Sequence, residues 1–355
     1  MPVECSSLRQ VADLLLTHYD IHARDLPWRA PPGGGARPDP YRVWLSEIML
    51  QQTTVAAVIP YFEKFTTRWP GVEALATAQD AEVMAAWAGL GYYARARNLL
   101  ACARRVASEY SGEFPDNEAE LLRLPGIGPY TAAAIAAIAF GRRAVVVDAN
   151  VERVVARLFA LSTPLPQGRD AIRAATNAIT PNDRAGDFAQ AMMDLGAGIC
   201  SVRAPACMIC PLSGHCAGHI AGTPEAFPVK AAKQPKPRRN GTVWWLERVD
   251  GQVWLERRDE KRMLGGMRGL PGSHWDRREA DRGGPPVPGA WQAFNTPVEH
   301  AFTHFALTLT VECLRVEEDC IPSADGEWWP LAGLADAGLP TLFTKVARLL
   351  AREKA

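Results

Sequence analysis

The sequence predicts a multidomain chain, α-helical over its first part and α+β over the rest. Three observations carry that prediction. At 355 residues the chain exceeds what one hydrophobic core usually supports. Over residues 1–226, stretches such as YRVWLSEIMLQQTTVAAVIPYFEKF (41–65) and VERVVARLFAL (151–161) repeat apolar side chains at three- and four-residue spacing, the helical period. Over 241–355 the texture changes. TVWWLERVDGQVWLERR (242–258) holds two β-rich runs about an Asp-Gly turn, a hairpin signal, and AFTHFALTLTVECLRV (301–316) alternates like another strand or two.

Between the two parts, the Pro- and Lys-rich FPVKAAKQPKPRRN (227–240) reads as an extended linker. Residues 276–290, rich in Arg, Gly and Pro, read as a mobile loop. A hydrophobic fraction of 48% with 22% charged residues is ordinary for a globular protein. The N-terminus lacks a basic region and a small-residue cleavage site, which argues against a signal peptide. The longest apolar run, AAAIAAIAF (132–140), is about half of a membrane span, so no membrane association is expected. The net charge is zero and excludes little, but its distribution is uneven. Residues 226–246 carry five basic side chains and no acidic one, whereas Lys64 is the only lysine before Lys230.

Four cysteines lie within CSVRAPACMICPLSGHC (200–216), separated by six, two and five residues. In a cytosolic protein disulfides are rare, and clustered thiols point to metal. Zinc sites more often pair two CxxC units across a longer loop. A single CxxC flanked by loops of six and five is a compact wrap suited to a [4Fe–4S] cubane, with structural zinc and unrelated thiols as the other readings. In LPGIGPYTAAAIAAIAFG (124–141), a Gly-x-Gly turn precedes a helix of small residues. Gly126 and Gly128 allow close backbone approach, and the free amides of the new helix suit a phosphate. Such a contact positions DNA without reading its sequence. A plain helical-hairpin turn is the alternative.

Asp148 follows a β-branched run and precedes a helical pattern in VVVDANVERVVARL (145–158), so it falls at or near an N-cap, where backbone N–H bonds and the helix dipole favour its ionised form. Alone, it reads equally as a simple cap. Glu47 stands among Leu45, Ile48, Met49 and Leu50 in VWLSEIMLQQTT (43–54). Facing a pocket, its carboxyl would have a raised pKa and hold a proton near neutrality; periodicity alone leaves open that it faces water.

Taken together, the cysteine spacing, the hairpin and an aspartate twenty residues beyond it resemble the helix-hairpin-helix, iron–sulfur endonuclease III superfamily. VWLSEIMLQQTT, LPWR (26–29), GLGYYARARN (89–98) and AQAMMDLGAGIC (189–200) narrow the resemblance to MutY-type adenine DNA glycosylases. It covers residues 20–220 closely and 241–355 more loosely. The implied organisation is a helical glycosylase domain at 1–226, with the hairpin near 122–141 and the iron–sulfur loop at 200–216. A linker (227–240) and a Nudix-like α+β domain for 8-oxoguanine recognition (241–355) follow. That domain lacks the GX5EX7REUXEEXGU metal-binding pattern of Nudix hydrolases, which only Arg278-Glu279 echoes, so it reads as a binding module.

The resemblance also implies an activity: hydrolysis of the N-glycosidic bond of a flipped adenine opposite 8-oxoguanine or guanine in double-stranded DNA. Glu47 would act as acid and then base, and Asp148 would stabilise the cationic sugar, with Tyr130 and Asn150 ordering Asp148 and the sugar face. A cluster would sit on Cys200, Cys207, Cys210 and Cys216. Leu26, Trp28, Arg29 and Gln190 are placed around adenine. Tyr92 is expected as the wedge, Gln51 or Gln52 fills the vacated space, and Gly126 and Gly128 meet the backbone. Phe302, Thr303 and His304 echo a loop that reads the oxidised base. Strand-cleaving relatives place a lysine where this chain has Tyr130, so lyase activity is expected to be weak or absent. A monomer in the cytoplasm of a bacterium, associated with the nucleoid, completes the expectation. The rivals are an endonuclease III-like glycosylase/lyase acting on oxidised pyrimidines and a non-catalytic iron–sulfur DNA-binding protein.

Overall fold

Apolar periodicity produces the elements where it was strongest. The computed structural model describes all residues except 1–4, 34, 36, 232–234, 259–262, 274, 276–282, 303 and 354–355. Contacts divide the chain into two units, Met1–Ala232 and Lys233–Ala355. The first is helical: α1 (Cys5–His22), α2 (Pro40–Met49), α3 (Val55–Arg68), α4 (Val72–Ala76), α5 (Asp80–Trp87), α6 (Ala94–Glu109), α7 (Glu118–Leu121), α8 (Pro129–Ile138), α9 (Ala149–Leu158), α10 (Arg169–Ile179), α11 (Ala185–Gly198) and α12 (Ala217–Ile220). The apolar run at 132–140 becomes α8, whose residues 131–138 are all buried. Its alanines let α2, α7 and α11 pack close around it. Among the described residues no helix is long and apolar enough to cross a membrane.

Local chemistry sets the ends of the elements that matter most. Asp39 caps α2 by accepting from the Tyr41 amide, and Pro40 occupies the first helical position, where its missing N–H costs nothing. The helix then buries Trp44, Leu45, Ile48 and Met49 in the core of this unit. Thr54 caps α3. At the contact of α9 with α11, a Cβ on Gly196 would lie 2.6 Å from that of Asn150, so only glycine permits this approach.

The second unit is a mixed sheet of β1 (Arg238–Arg248), β2 (Gln252–Arg257), β3 (Arg268–Gly269), β4 (Gln292–Ala293), β5 (Val298–Ala301), β6 (Ala306–Val316) and β7 (Gly326–Pro330), followed by α13 (Thr341–Glu353). The strands run in the order β3-β2-β1-β6-β4, with β5 also pairing β6 and β7 also pairing β2. The Asp-Gly turn joins β1 to antiparallel β2 as expected. At the centre β1 pairs with β6 in parallel over its whole length, from Arg238 opposite Ala306 to Arg248 opposite Val316. One face carries Val243, Trp245, Val253 and Leu255 against Leu342, Phe343 and Val346 of α13. The other buries Leu246, Trp254 and Val287 in a smaller cluster.

The expected linker at 227–240 is shorter in the structure. Phe227 accepts from Arg157, Leu165 exchanges backbone bonds with Val229 and Ala231, and β1 already begins at Arg238. Backbone pairing claims both ends of a stretch whose composition looked extended. Of the loop at 276–290, residues 276–282 lie outside the described residues, as do Arg278 and Glu279.

Candidate active site

Four helices of the first unit and the loops on either side of α2 converge on a cavity of about 370 Å³. Its walls include Glu47 from α2, Tyr130 from α8, Asp148 and Asn150 at the start of α9, and Gln190 from α11, with Leu26, Trp28 and Arg29 from the loop before α2. Gln51 and Gln52, just past the end of α2, line it as well. The catalytic and adenine-pocket residues expected from the sequence are thus neighbours in space, although they span more than 160 positions of chain.

Glu47 is only 7% exposed, which settles the question periodicity left open: it faces the cavity, not water. Burial pushes its carboxyl up to about 7, and the nearby charge of Asp148 adds to this. A hydrogen bond from the Tyr130 hydroxyl and the positive charge of Arg29 act against the rise without cancelling it. Tyr130 is half-buried, and burial of its hydroxyl end holds the phenol well above its ordinary value, so it remains a donor. The resemblance has Tyr130 ordering Asp148 and the sugar face; its hydroxyl also acts on the Glu47 carboxyl.

Asp148 is the N-cap of α9. One carboxylate oxygen accepts from the Val151 amide at 2.7 Å and the other from the Asn150 side chain at 2.9 Å. Asn150 cannot turn away, because its oxygen accepts from Arg153 at 2.9 Å. Arg153 is anchored in turn on the carbonyls of Gly196 (2.6 Å) and Cys200 (2.8 Å). The result is an acid held in place by two donors beside a buried carboxyl that favours its proton, both facing one cavity.

Arg29 lines the cavity, but its guanidinium is occupied: it grips Asp194 with both arms, at 2.7 and 2.9 Å. Arg24 binds the same carboxylate at 2.7 Å. Burial alone would raise the Asp194 pKa, yet hydrogen bonds and charge from Arg29 and Arg24 hold it below its ordinary value. Gln190 is buried and donates to the Gly186 carbonyl at 3.3 Å. Trp28 stands edge-on to Phe62.

Tyr92 does not line the cavity. It sits on the turn after Gly89–Gly91, 63% exposed, with φ of +50°. Gln52 is also exposed, with φ of +58°. Gly126 takes φ of +76° in the hairpin, and a Cβ there would lie 2.8 Å from that of Asn98. Gly128 is the N-cap of α8 with open space in front of it and no side chain capping the helix, leaving the first amides available to an anion.

Cys200, Cys207, Cys210 and Cys216 are half-buried, in no disulfide, and near enough to influence one another electrostatically. Burial pushes the Cys210 thiol up to about 11, so thiolates here need cations beside them. Arg157, fully buried, pins the loop through the carbonyls of Ser201 (2.6 Å), Val202 (3.0 Å) and Phe227 (3.1 Å), and its Nη1 lies 3.2 Å from the Cys200 sulfur. Among the described residues no three His, Cys, Asp or Glu side chains close on a point that would hold a single metal ion. Four unpaired thiols on one loop are a donor set that fits a cubane, in which each iron takes one thiolate.

In the second unit His304 is exposed, and Phe302 is half-buried, stacked on Phe305 at 4.8 Å. Thr303 lies outside the described residues. Lys236 donates to the Phe302 carbonyl at 2.6 Å, and Arg239 lies over Phe305 at 4.3 Å. Sequence reasoning did not single out Arg24, Arg95, Arg153, Arg157 or Asp194. The available signal was Arg153 and Arg157 one turn apart amid Val151, Val154, Val155 and Leu158, a spacing that buries both guanidinium groups.

The helical fold, the gathered carboxyls and the cysteine loop define a base-excision DNA glycosylase joined to a Nudix-type domain. Residues 45–180 match the model of the HhH-GPD superfamily of base excision DNA repair proteins, and 242–349 match that of the NUDIX domain. An adenine DNA glycosylase of Homo sapiens is 34% identical over 85% of this chain and 66% of its own length. That of Mycolicibacterium smegmatis is 44% identical over 59% of this chain and 70% of its own, and that of Mus musculus 32% identical over 94% and 76%. The chain belongs to the adenine DNA glycosylase family and is a DNA N-glycosylase. Among solved structures, a thermostable thymine-DNA glycosylase matches with a TM-score of 0.54 at 32% identity, covering 61% of this chain and 98% of that one. A non-covalent endonuclease III–DNA complex (TM-score 0.51, 22% identity, 62% of this chain and 98% of that one) shares the fold.

Proposed function

We propose that this chain excises adenine paired with 8-oxoguanine or guanine from double-stranded DNA, by hydrolysis and without efficient strand cleavage. The observation that carries the reading is the pairing in one cavity of Glu47, pushed up to about 7 by burial, with Asp148, fixed by the Val151 amide and Asn150. Adenine is a poor leaving group and the sugar becomes cationic as it departs. A proton from Glu47 to a ring nitrogen, N7 by family resemblance, answers the first difficulty; the Asp148 carboxylate beside the oxocarbenium answers the second. Water then adds at C1′, and Glu47, now ionised, accepts its proton. Leu26, Trp28 and Gln190 form the walls that receive the flipped base, with Arg29 steadied by Asp194. Tyr92, exposed on its turn, enters the stack from which adenine leaves, while Gln51 or Gln52 occupies the gap.

A lyase would need an amine at C1′. Among the described residues lining the cavity none is lysine, and Lys64 is exposed on α3. Cys200, Cys207, Cys210 and Cys216 would hold a [4Fe–4S] cluster, which supplies a rigid cross-link for the 200–216 loop. Gly126 and Gly128 offer the hairpin amides to a phosphate, and Phe302, Thr303 and His304 read the base opposite adenine.

The test is adenine release from duplexes holding A opposite 8-oxoguanine, with Glu47→Gln as control and iron and sulfide content measured on the same preparation. Release that depends on Glu47, without borohydride trapping on abasic DNA, is the expected result. Release of an oxidised pyrimidine instead, or efficient trapping, would sink the reading.

A further inference from the structure

Arg95 stands on the first turn of α6, outside the cavity walls, yet its guanidinium is spent on the segments that build the site. Nη1 donates to the carbonyls of Ile48 (2.9 Å) and Met49 (3.0 Å), at the last turn of the helix that carries Glu47. Nη2 donates to Leu90 at 3.2 Å, with Gly91 O and the Thr53 hydroxyl each at 3.4 Å. The plane also lies over the rings of Trp87 (5.3 Å) and Tyr92 (5.6 Å). One fork therefore spans three pieces of chain: the end of α2, the loop holding Gln51 and Gln52, and the glycine turn that presents Tyr92.

Two features show that these pieces need holding. Gln52 and Tyr92 both have φ in the left-handed region, which side chains rarely adopt and which persists only when surrounding bonds over-determine it. The α2 carbonyls also form the negative end of that helix, where a fixed cation is favourable. Burial lowers the Arg95 pKa, but a guanidinium stays charged, and its planar fork reaches acceptors that a lysine ammonium cannot meet together.

We propose that Arg95 is a positioning residue that couples base extrusion to assembly of the catalytic site. It fixes the Tyr92 turn and the 50–53 loop against the end of α2, so that the wedge, the gap-filling glutamine and Glu47 hold one spacing. This inference rests on the proposed roles of Tyr92 and Glu47.

The test is single-turnover excision by Arg95→Met and Arg95→Lys on two DNAs. One holds A opposite 8-oxoguanine in a fully paired duplex; the other holds the same pair flanked by mismatches, which lowers the cost of unstacking. Both variants are expected to slow excision from the paired duplex about tenfold or more, and from the mismatch-flanked DNA about threefold or less. The ratio of the two rates does not depend on how much enzyme is folded. The alkaline limb set by Glu47 is expected to stay near pH 7, as in the wild type. Equal slowing on both DNAs, no slowing, or a displaced limb would overturn the inference. A wild-type enzyme that releases adenine from neither DNA would instead overturn the proposed function.

Discussion

A carboxyl buried without a salt-bridge partner costs stability, and Glu47 carries that cost at the wall of the cavity. Its pKa rises from 4.5 to about 7 on folding, which corresponds to roughly 3 kcal/mol. The sign follows from proton counting. Between pH 4.5 and 7 the folded chain keeps a proton that the unfolded chain has lost, so stability is full below the lower value and falls as pH rises through the upper one. Glu47→Gln escapes this loss. The variant is expected to be inactive yet more stable than wild type at pH 8, with the two melting temperatures converging below about pH 4.5. Wild-type excision should fall as pH rises through about 7, because the acid form does the work. A rate that climbs through that range would contradict the assignment. Glu47 was legible in the sequence as a carboxyl in apolar company. Its burial was not, since a helix with apolar side chains on both flanks does not reveal which face meets the cavity. Arg95 was invisible for a related reason: it finds carbonyl acceptors up to 47 residues away, and local sequence carries no trace of such distances, whereas Arg153 showed only its place on an apolar face and not its partners.

At the scale of the element, α9 shows one side chain with two duties that substitution can separate. Asp148 caps the helix and lines the cavity, where its proposed duty is to stabilise the cationic sugar. Asp148→Asn keeps an acceptor for the Val151 amide and removes the charge, whereas Asp148→Ala removes both. The asparagine variant is therefore expected to unfold close to wild type, with the alanine variant about 1 kcal/mol less stable, while both lose most turnover. Equal activity in the asparagine variant and wild type would leave Asp148 as a cap alone. The hairpin divides in the same manner. Gly126→Ala meets both a left-handed backbone and the Asn98 side chain, so it should lower the melting temperature. Gly128→Ala, with φ of −96° and open space ahead, should leave stability near wild type and weaken DNA binding through the lost close approach, as titration on duplex DNA would show. Elements of this kind were legible because their signals are local: a 3.6-residue period, a cap, an Asp-Gly turn. The parallel pairing of β1 with β6 was not, since residues 238 and 306 are joined by no turn and nothing near either strand announces the partner.

At the scale of the whole molecule, the two units have separate cores, the first led by Trp44, Phe62, Phe65 and Trp87 and the second by Val243, Trp245, Leu309 and Phe343. The side chains proposed for bond cleavage all lie before residue 233 and those proposed to read the opposite base all lie after it. Chemistry and discrimination should therefore separate. A chain ending at Ala232 keeps Glu47, Asp148, the hairpin and the four cysteines, and it is expected to release adenine from A·G and A·8-oxoguanine duplexes at similar rates. In the full chain, His304→Ala removes an exposed ring from the unit that does not hold Glu47 and Asp148, so it should leave A·G excision unchanged. Preference for the oxidised base should fall by about 1–3 kcal/mol, the size of one lost polar contact. The two experiments constrain each other. If the truncated chain loses the preference but His304→Ala keeps it, the reader is in the second unit but is not His304. If the truncated chain keeps the preference, recognition of 8-oxoguanine belongs to the helical unit and the second unit serves another purpose.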